Sequence, residues 1–265
     1  MAGLCPACSE RLGPLARFRF TRDSYTFGGL FQLAIEVWRP RWGTLALATW
    51  LFFTVVYAPA LLLDSVVASP DDPREWAGLS GEALLSLGLS QLFTFVLDTA
   101  ATLVMSGYVL DLLERSPGGL RTRFARLRAL PAQIAALLLV YAGIALVAGV
   151  GYVVFQVSGS WDALPYSALI TGGFALVMVP LLAYVSLGVV FVTFELAHSP
   201  GLSPWAALRA SWELVEGKRV SVALIITLST LLTLLGLPSC LIGVLFTFPI
   251  GMLCSGALYL ALKQR

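Results

Sequence analysis

The sequence predicts an all-α polytopic membrane protein, six transmembrane helices arranged as three hairpins with cytoplasmic amphipathic elbow helices. Three observations carry that expectation. Six long apolar stretches occupy roughly residues 43–67, 83–113, 130–157, 166–197, 220–237 and 240–262, each near or above the roughly 17–25 residues that cross a hydrocarbon core. Only 12% of the 265 residues are charged and 58% are hydrophobic, about half the charged share of a soluble domain. Sixteen of the seventeen Lys and Arg residues precede the first stretch, lie in the second or fourth connection, or follow the sixth stretch, leaving Arg74 alone on the other side. Basic loops stay in the cytoplasm, so this alternation places both termini inside.

Residues 1–25 read as a flexible cytoplasmic segment with a single C-x-x-C, and residues 26–265 as the transmembrane domain. No cleavable signal is expected, because the first apolar run begins near Gly43, after six arginines. The first elbow presents Phe27, Leu30, Phe31, Ala34 and Trp38 on one helical face. Trp38 and Trp42, just before the first stretch, are expected at the inner headgroup level. The first outer connection is acidic, with Asp71, Asp72, Glu75 and Glu82. The middle elbow, about 120–129, puts Leu120, Phe124 and Leu127 on one face among four arginines. Ala142, Gly143, Ala145, Gly149 and Gly151 in the third stretch, with Gly172 and Gly173 in the fourth, allow close helix approach.

The fourth stretch is expected to be one continuous span. It leaves through Glu195, His198 and Ser199-Pro200-Gly201, 83 residues after the Ser116-Pro117-Gly118 that ends the second. The third elbow, 203–216, has Ser203 to cap it, Pro204 for its first position and Gly217 to stop it. Its apolar stripe is Trp205, Leu208, Trp212 and Val215. Pro59, Pro180 and Pro249 are expected to kink stretches one, four and six.

The elbow running from Ser203-Pro204-Trp205-Ala206-Ala207-Leu208-Arg209-Ala210-Ser211-Trp212 through Glu213-Leu214-Val215-Glu216-Gly217-Lys218, followed at once by a span, resembles a family. That family is the uncharacterised bacterial six-helix membrane proteins, which share their layout with the membrane domain fused to some glycerophosphodiester phosphodiesterases. The likeness covers residues 26–262, with 26–41 as a degenerate first copy of the elbow. It implies the six-helix fold and the bacterial cytoplasmic (inner) membrane. It transfers no catalytic residue, and the phosphodiesterase domain is not in this sequence.

The candidate sites are sparse. Asp98 lies at the midpoint of the second stretch, and no Lys or Arg falls within any stretch. An aspartate at such a depth costs about 2.5–3.5 kcal/mol on insertion scales. It reads either as a ligand or proton site, or as a protonated carboxyl bonded across helices to a hydroxyl such as Thr94, Thr102, Tyr141 or Ser186; the second is the expected role. Asp111, Glu114 and Glu195 stand at span ends beside arginine-bearing elbows and are expected to form ion pairs. Arg115, Arg121, Arg123, Arg126 and Arg128 are expected to meet lipid headgroups. Cys5 and Cys8 supply two of the four thiolates that a structural zinc requires. They read as a vestigial half site, as half of a zinc site shared with another chain, or as a redox pair, and no cofactor is expected. No H-E-x-x-H, G-x-S-x-G or glycine-rich phosphate loop with lysine occurs.

The expected function is a non-enzymatic scaffold or accessory subunit in envelope or lipid homeostasis. The alternatives are a transporter or permease component with a site near Asp98, and a lipid-active membrane enzyme. The expected partners are membrane lipids and another membrane protein or a second copy. Nucleic acid is excluded because the arginines are interleaved with lipid-facing residues.

Overall fold

The computed structural model describes residues 20–66, 81–114, 124–159, 164–236 and 240–264. Among these, every regular element is helical. In chain order they are α1 Phe27–Trp38, α2 Trp42–Val66, α3 Gly81–Leu113, α4 Leu130–Gly159, α5 Leu164–Val189, α6 Val192–His198, α7 Pro204–Val215, α8 Arg219–Leu234 and α9 Cys240–Lys263. Short 3-10 turns at Arg39–Arg41 and Arg126–Ala129 lead into α2 and α4. Five helices are long and apolar enough to cross a membrane, six if the bent pair α7 and α8 counts as one. The chain is therefore a multi-pass membrane protein by the length and composition of its helices.

The helices pack around α9, which lies against α8, α1, α2 and α3. Two thirds of its apolar window (67%) is buried, against 6% for the window in α4. Burial concentrates at one end of the bundle, where Leu103, Leu110, Phe191, Leu196, Leu253 and Tyr259 lose essentially all contact with solvent. The far halves of α4 and α5 keep broad apolar faces outward, with Leu146 and Leu176 among the most exposed side chains. In lipid this arrangement carries no hydrophobic penalty, since acyl chains are as apolar as leucine.

All four basic segments meet at the buried end. The Arg22 amide donates to the Gln264 carbonyl at 3.2 Å, and its guanidinium donates to the Glu216 carbonyl. Lys218 pairs with Asp23 at 3.0 Å, and Arg126 reaches Asp111 at the end of α3.

The third elbow forms as its residues dictate. The Ala206 amide donates to Ser203 Oγ at 3.3 Å, Pro204 opens the helix, and Gly217 takes a positive φ of 73°. That left-handed turn bends α7 from α8 by 101°. The buried face differs from the expected stripe, however. Ala207, Ser211 and Val215 face inward, while Trp205 is 71% exposed. Small residues win the inner face because α5, α6 and α4 all press on α7. Trp212 fits only because Gly188 of α5 has no side chain; a Cβ there would overlap the indole.

The first elbow corrects the reading in a different way. Thr26 caps α1 by accepting from the Gly29 amide at 3.2 Å. Leu30 and Ala34 are fully buried, and α1 packs along α9. The 3-10 turn then continues it into α2, so that Phe27–Pro59 qualifies as one candidate span. Trp38 and Trp42, expected at the headgroup level, also have an aromatic neighbour in α9. Both pack on Phe246, at 6.1 and 6.2 Å between ring centroids. Of the middle elbow, 124–129 is described, and only as a short helical turn.

The fourth stretch is not one helix. It breaks at Val190 and Phe191, between α5 and α6. The Phe191 amide donates to Ser211 Oγ of α7 at 3.2 Å. A side chain inserted into the backbone ladder in this way is a recognised cause of a helix break. Pro59, Pro180 and Pro249 lie inside α2, α5 and α9, which continue through them.

Candidate functional site: a buried ionic cluster

Three helix ends bring seven polar groups together at the buried end of the bundle. The end of α3 supplies Asp111 and Glu114. The turn before α4 supplies Arg126, α6 supplies Glu195 and His198, and α9 supplies Tyr259 and Lys263. Arg126 holds Asp111 in a two-pronged pair, Nη2 to Oδ1 at 2.5 Å and Nη1 to Oδ2 at 3.2 Å. The side chains are 16% and 6% exposed, so the pair is shielded. Planar guanidinium and carboxylate groups meet well in this arrangement. Lys263 Nζ donates to Glu195 Oε2 at 3.0 Å and to the Tyr259 hydroxyl at 2.7 Å. Tyr259 is itself fully buried between Phe191 and Phe194. Nearby, Gln133 Nε2 donates to Thr193 Oγ1 at 3.2 Å and ties α4 to α6.

Glu114 is the imperfectly answered member. His198 Nδ1 comes within 3.5 Å of its Oε1, yet that oxygen is buried with no hydrogen-bond partner among the described residues. Burial, and then the neighbouring Asp111, push its carboxyl above the ordinary value of 4.5, against the pull of Arg126 and Lys263. A raised folded pKa stabilises the fold most below the ordinary value, and the contribution is lost as pH rises through the raised one. Glu114→Gln imitates the protonated group. It is expected to unfold at a higher temperature than the parent at pH 8, with the gap narrowing towards pH 5. Thermal unfolding in detergent across that range checks this; a gap that ignores pH would contradict it.

The expectation of ion pairs is met at Asp111 and Glu195, which are buried rather than exposed, and not at Glu114, which among the described residues faces His198 alone. Lys263 and Arg126 were missed as partners, because 68 and 15 residues separate them from their carboxylates. Arg126, expected at lipid headgroups, is instead turned into the core. Arg128 is exposed, and Arg115, Arg121 and Arg123 lie outside the described residues. So do Cys5 and Cys8. Another missed contact is Arg219, whose guanidinium lies 3.7 Å from the Tyr184 ring and 4.2 Å from the Trp212 ring. Such stacking favours a partly desolvated cation. Arg219 and Trp212 are seven apart and lie on either side of the bend at Gly217.

Asp98 is not where the structural reading put it. It occupies an exposed position halfway along the uninterrupted α3. Among the described residues it makes no hydrogen bond or ion pair, with a hydroxyl or otherwise. The physical reason is register. Thr99, Leu103 and Ser106 take the buried face of α3, and Asp98 sits one residue off it.

No family model, no curated protein and no solved structure matches the chain. What fold and site define is therefore a class: an all-helical, multi-pass membrane bundle clamped at one end by buried ion pairs.

Proposed function

We propose that the chain is a non-enzymatic integral protein of the bacterial cytoplasmic membrane, with both termini cytoplasmic, serving as a scaffold or accessory subunit in envelope or lipid homeostasis. The observation that carries this reading is the destination of the ionisable groups. Asp111 and Glu195 engage Arg126 and Lys263 across helices, so these charges hold the bundle end rigid. A transporter instead gathers polar groups near the midplane, around broken helices that line a cavity. Asp98 stands on an outward face of an unbroken helix. The exposed Arg128 and the basic residues of its connection are then the headgroup contacts, each contributing about 1 kcal/mol beside an anionic leaflet.

Two measurements test the proposal together. In intact cells, Ala77→Cys and Ser160→Cys should be labelled by an impermeant maleimide, and Gly118→Cys should not; the reverse pattern inverts the topology. The purified protein in liposomes should pass protons no faster than protein-free liposomes. A flux that Asp98→Asn abolishes would replace the scaffold with a transporter.

A further inference from the structure

Gln91, Thr94, Asp98 and Thr102 follow one another at +3, +4 and +4 along α3, which places them on one face of the helix. Gln91 and Asp98 are exposed, and Thr94 and Thr102 are half-exposed. Thr94 donates its hydroxyl proton to the Ser90 carbonyl at 3.0 Å and keeps its accepting lone pairs. Among the described residues, Gln91, Asp98 and Thr102 make no side-chain hydrogen bond. A carboxyl facing acyl chains at mid-depth is costly, and intramembrane carboxyls almost always find a protein partner.

Among the described residues no hydrogen-bonding side chain covers the face. The neighbouring α4 touches α3 here through Tyr141, whose ring meets Phe95 edge-on at 6.1 Å. Beyond that contact, α4 turns Ala142, Gly143, Ala145 and Gly149 outward. A Cβ added at Gly143 or Gly149 would meet nothing within 4 Å. The small residues read from sequence as packing positions are thus unused inside the bundle, beside a polar face that is also unused.

The chemistry of the face selects its occupant. Neither α3 nor the neighbouring α4 carries a Lys or Arg, so neither helix supplies a cation to Asp98. Copies of one membrane protein share one orientation. A two-fold axis along the membrane normal therefore brings each α3 residue opposite its own image at equal depth. Glutamine, threonine and a protonated carboxyl are each both donor and acceptor, so each can pair with itself. Two carboxyls in contact cannot both ionise, which leaves at least one proton between them to bond with. A foreign helix carrying a lysine would answer Asp98 alone and leave Gln91 and Thr102 unmatched.

We propose that the chain forms a two-fold dimer through the face of α3 that carries Gln91, Thr94, Asp98 and Thr102, with the two Asp98 carboxyls hydrogen-bonded to each other. The small residues of α4 lie at the flank of this interface, where they let the second copy approach closely. The dimer goes beyond the scaffold reading and does not depend on it.

The test uses the full chain with Cys5, Cys8, Cys240 and Cys254 replaced by alanine and its unfolding temperature matched to the parent. Oxidation in native membranes should cross-link Gln91→Cys and Thr102→Cys to a second copy, and should not cross-link Leu176→Cys on the exposed face of α5. In liposomes, energy transfer between labelled copies on dilution gives the dimer constant. Asp98→Leu should weaken it about tenfold, the loss expected of one or two interhelical hydrogen bonds. Asp98→Asn, which keeps a donor and an acceptor, should hold it near the parent value. Because Asp98 makes no hydrogen bond or ion pair among the described residues, both variants should unfold near the parent temperature. Equal cross-linking at all three positions, cross-linking to a different polypeptide, or an Asp98→Leu protein that dimerises like the parent would each overturn the proposal.

Discussion

Replacing Arg126 with alanine is expected to destabilise the folded protein by about 3–5 kcal/mol, the cost of stripping one partner from a buried ion pair. Asp111, at 6% exposure, would lose its two-pronged donor. Asp111→Ala should cost a similar amount, since Arg126 is nearly as enclosed. The double variant should cost much less than the sum, because it strands neither charge; the shortfall is the coupling energy. Gly107→Ala provides an independent check. A Cβ at Gly107 would overlap the Arg126 guanidinium, so it should displace the pair without removing either charge. Thermal unfolding of the four proteins in one detergent decides the matter. Strict additivity would mean that the pair is not coupled.

The same contact shows what could be read from the sequence and what could not. Composition and the length of the apolar stretches are one-dimensional properties, so the helical, multi-pass class was legible from them. Ser203, Pro204 and Gly217 act on the backbone within a few residues of themselves, and that elbow formed where they mark it. Tertiary partners were out of reach. Nothing in the spacing of Phe191 and Ser211 announces that the serine hydroxyl will break the fourth stretch. The packing of Trp38 and Trp42 on Phe246 was likewise not announced by their spacing. Asp98 shows a limit of periodicity. An apolar helix with almost no amphipathic contrast does not reveal which face it buries, so the carboxyl could be located in depth but not in azimuth. In α1, where apolar and polar residues do segregate, Leu30 and Ala34 were placed correctly on the buried face.

Lys263→Ala is the second substitution expected to have a large effect, again about 3–5 kcal/mol, because Glu195 would be left charged at 6% exposure. The lysine is the last residue of α9. Here its stem runs beside Tyr259, and its ammonium lies 5.1 Å from that ring. It serves both the Glu195 carboxylate and the Tyr259 hydroxyl. Losing it removes the cation and leaves the Glu195 carboxylate with the Tyr259 hydroxyl as its neighbour. Two companions separate charge from packing. Lys263→Met keeps most of the stem and should be as damaging as alanine if the stranded carboxylate dominates. Adding Glu195→Gln to Lys263→Met should recover most of the loss, because the buried charge disappears with its partner. Salt distinguishes this pair from Arg209–Glu213 on the outside of α7, where both side chains are at least half exposed. Raising ionic strength should screen the exposed pair and leave the Lys263 effect almost unchanged. Unfolding temperatures for the parent and the three variants, at low and high salt, provide the measurement. A Lys263→Met protein as stable as the parent would show that α9 is held by its apolar faces alone and that the clamp at its end contributes nothing.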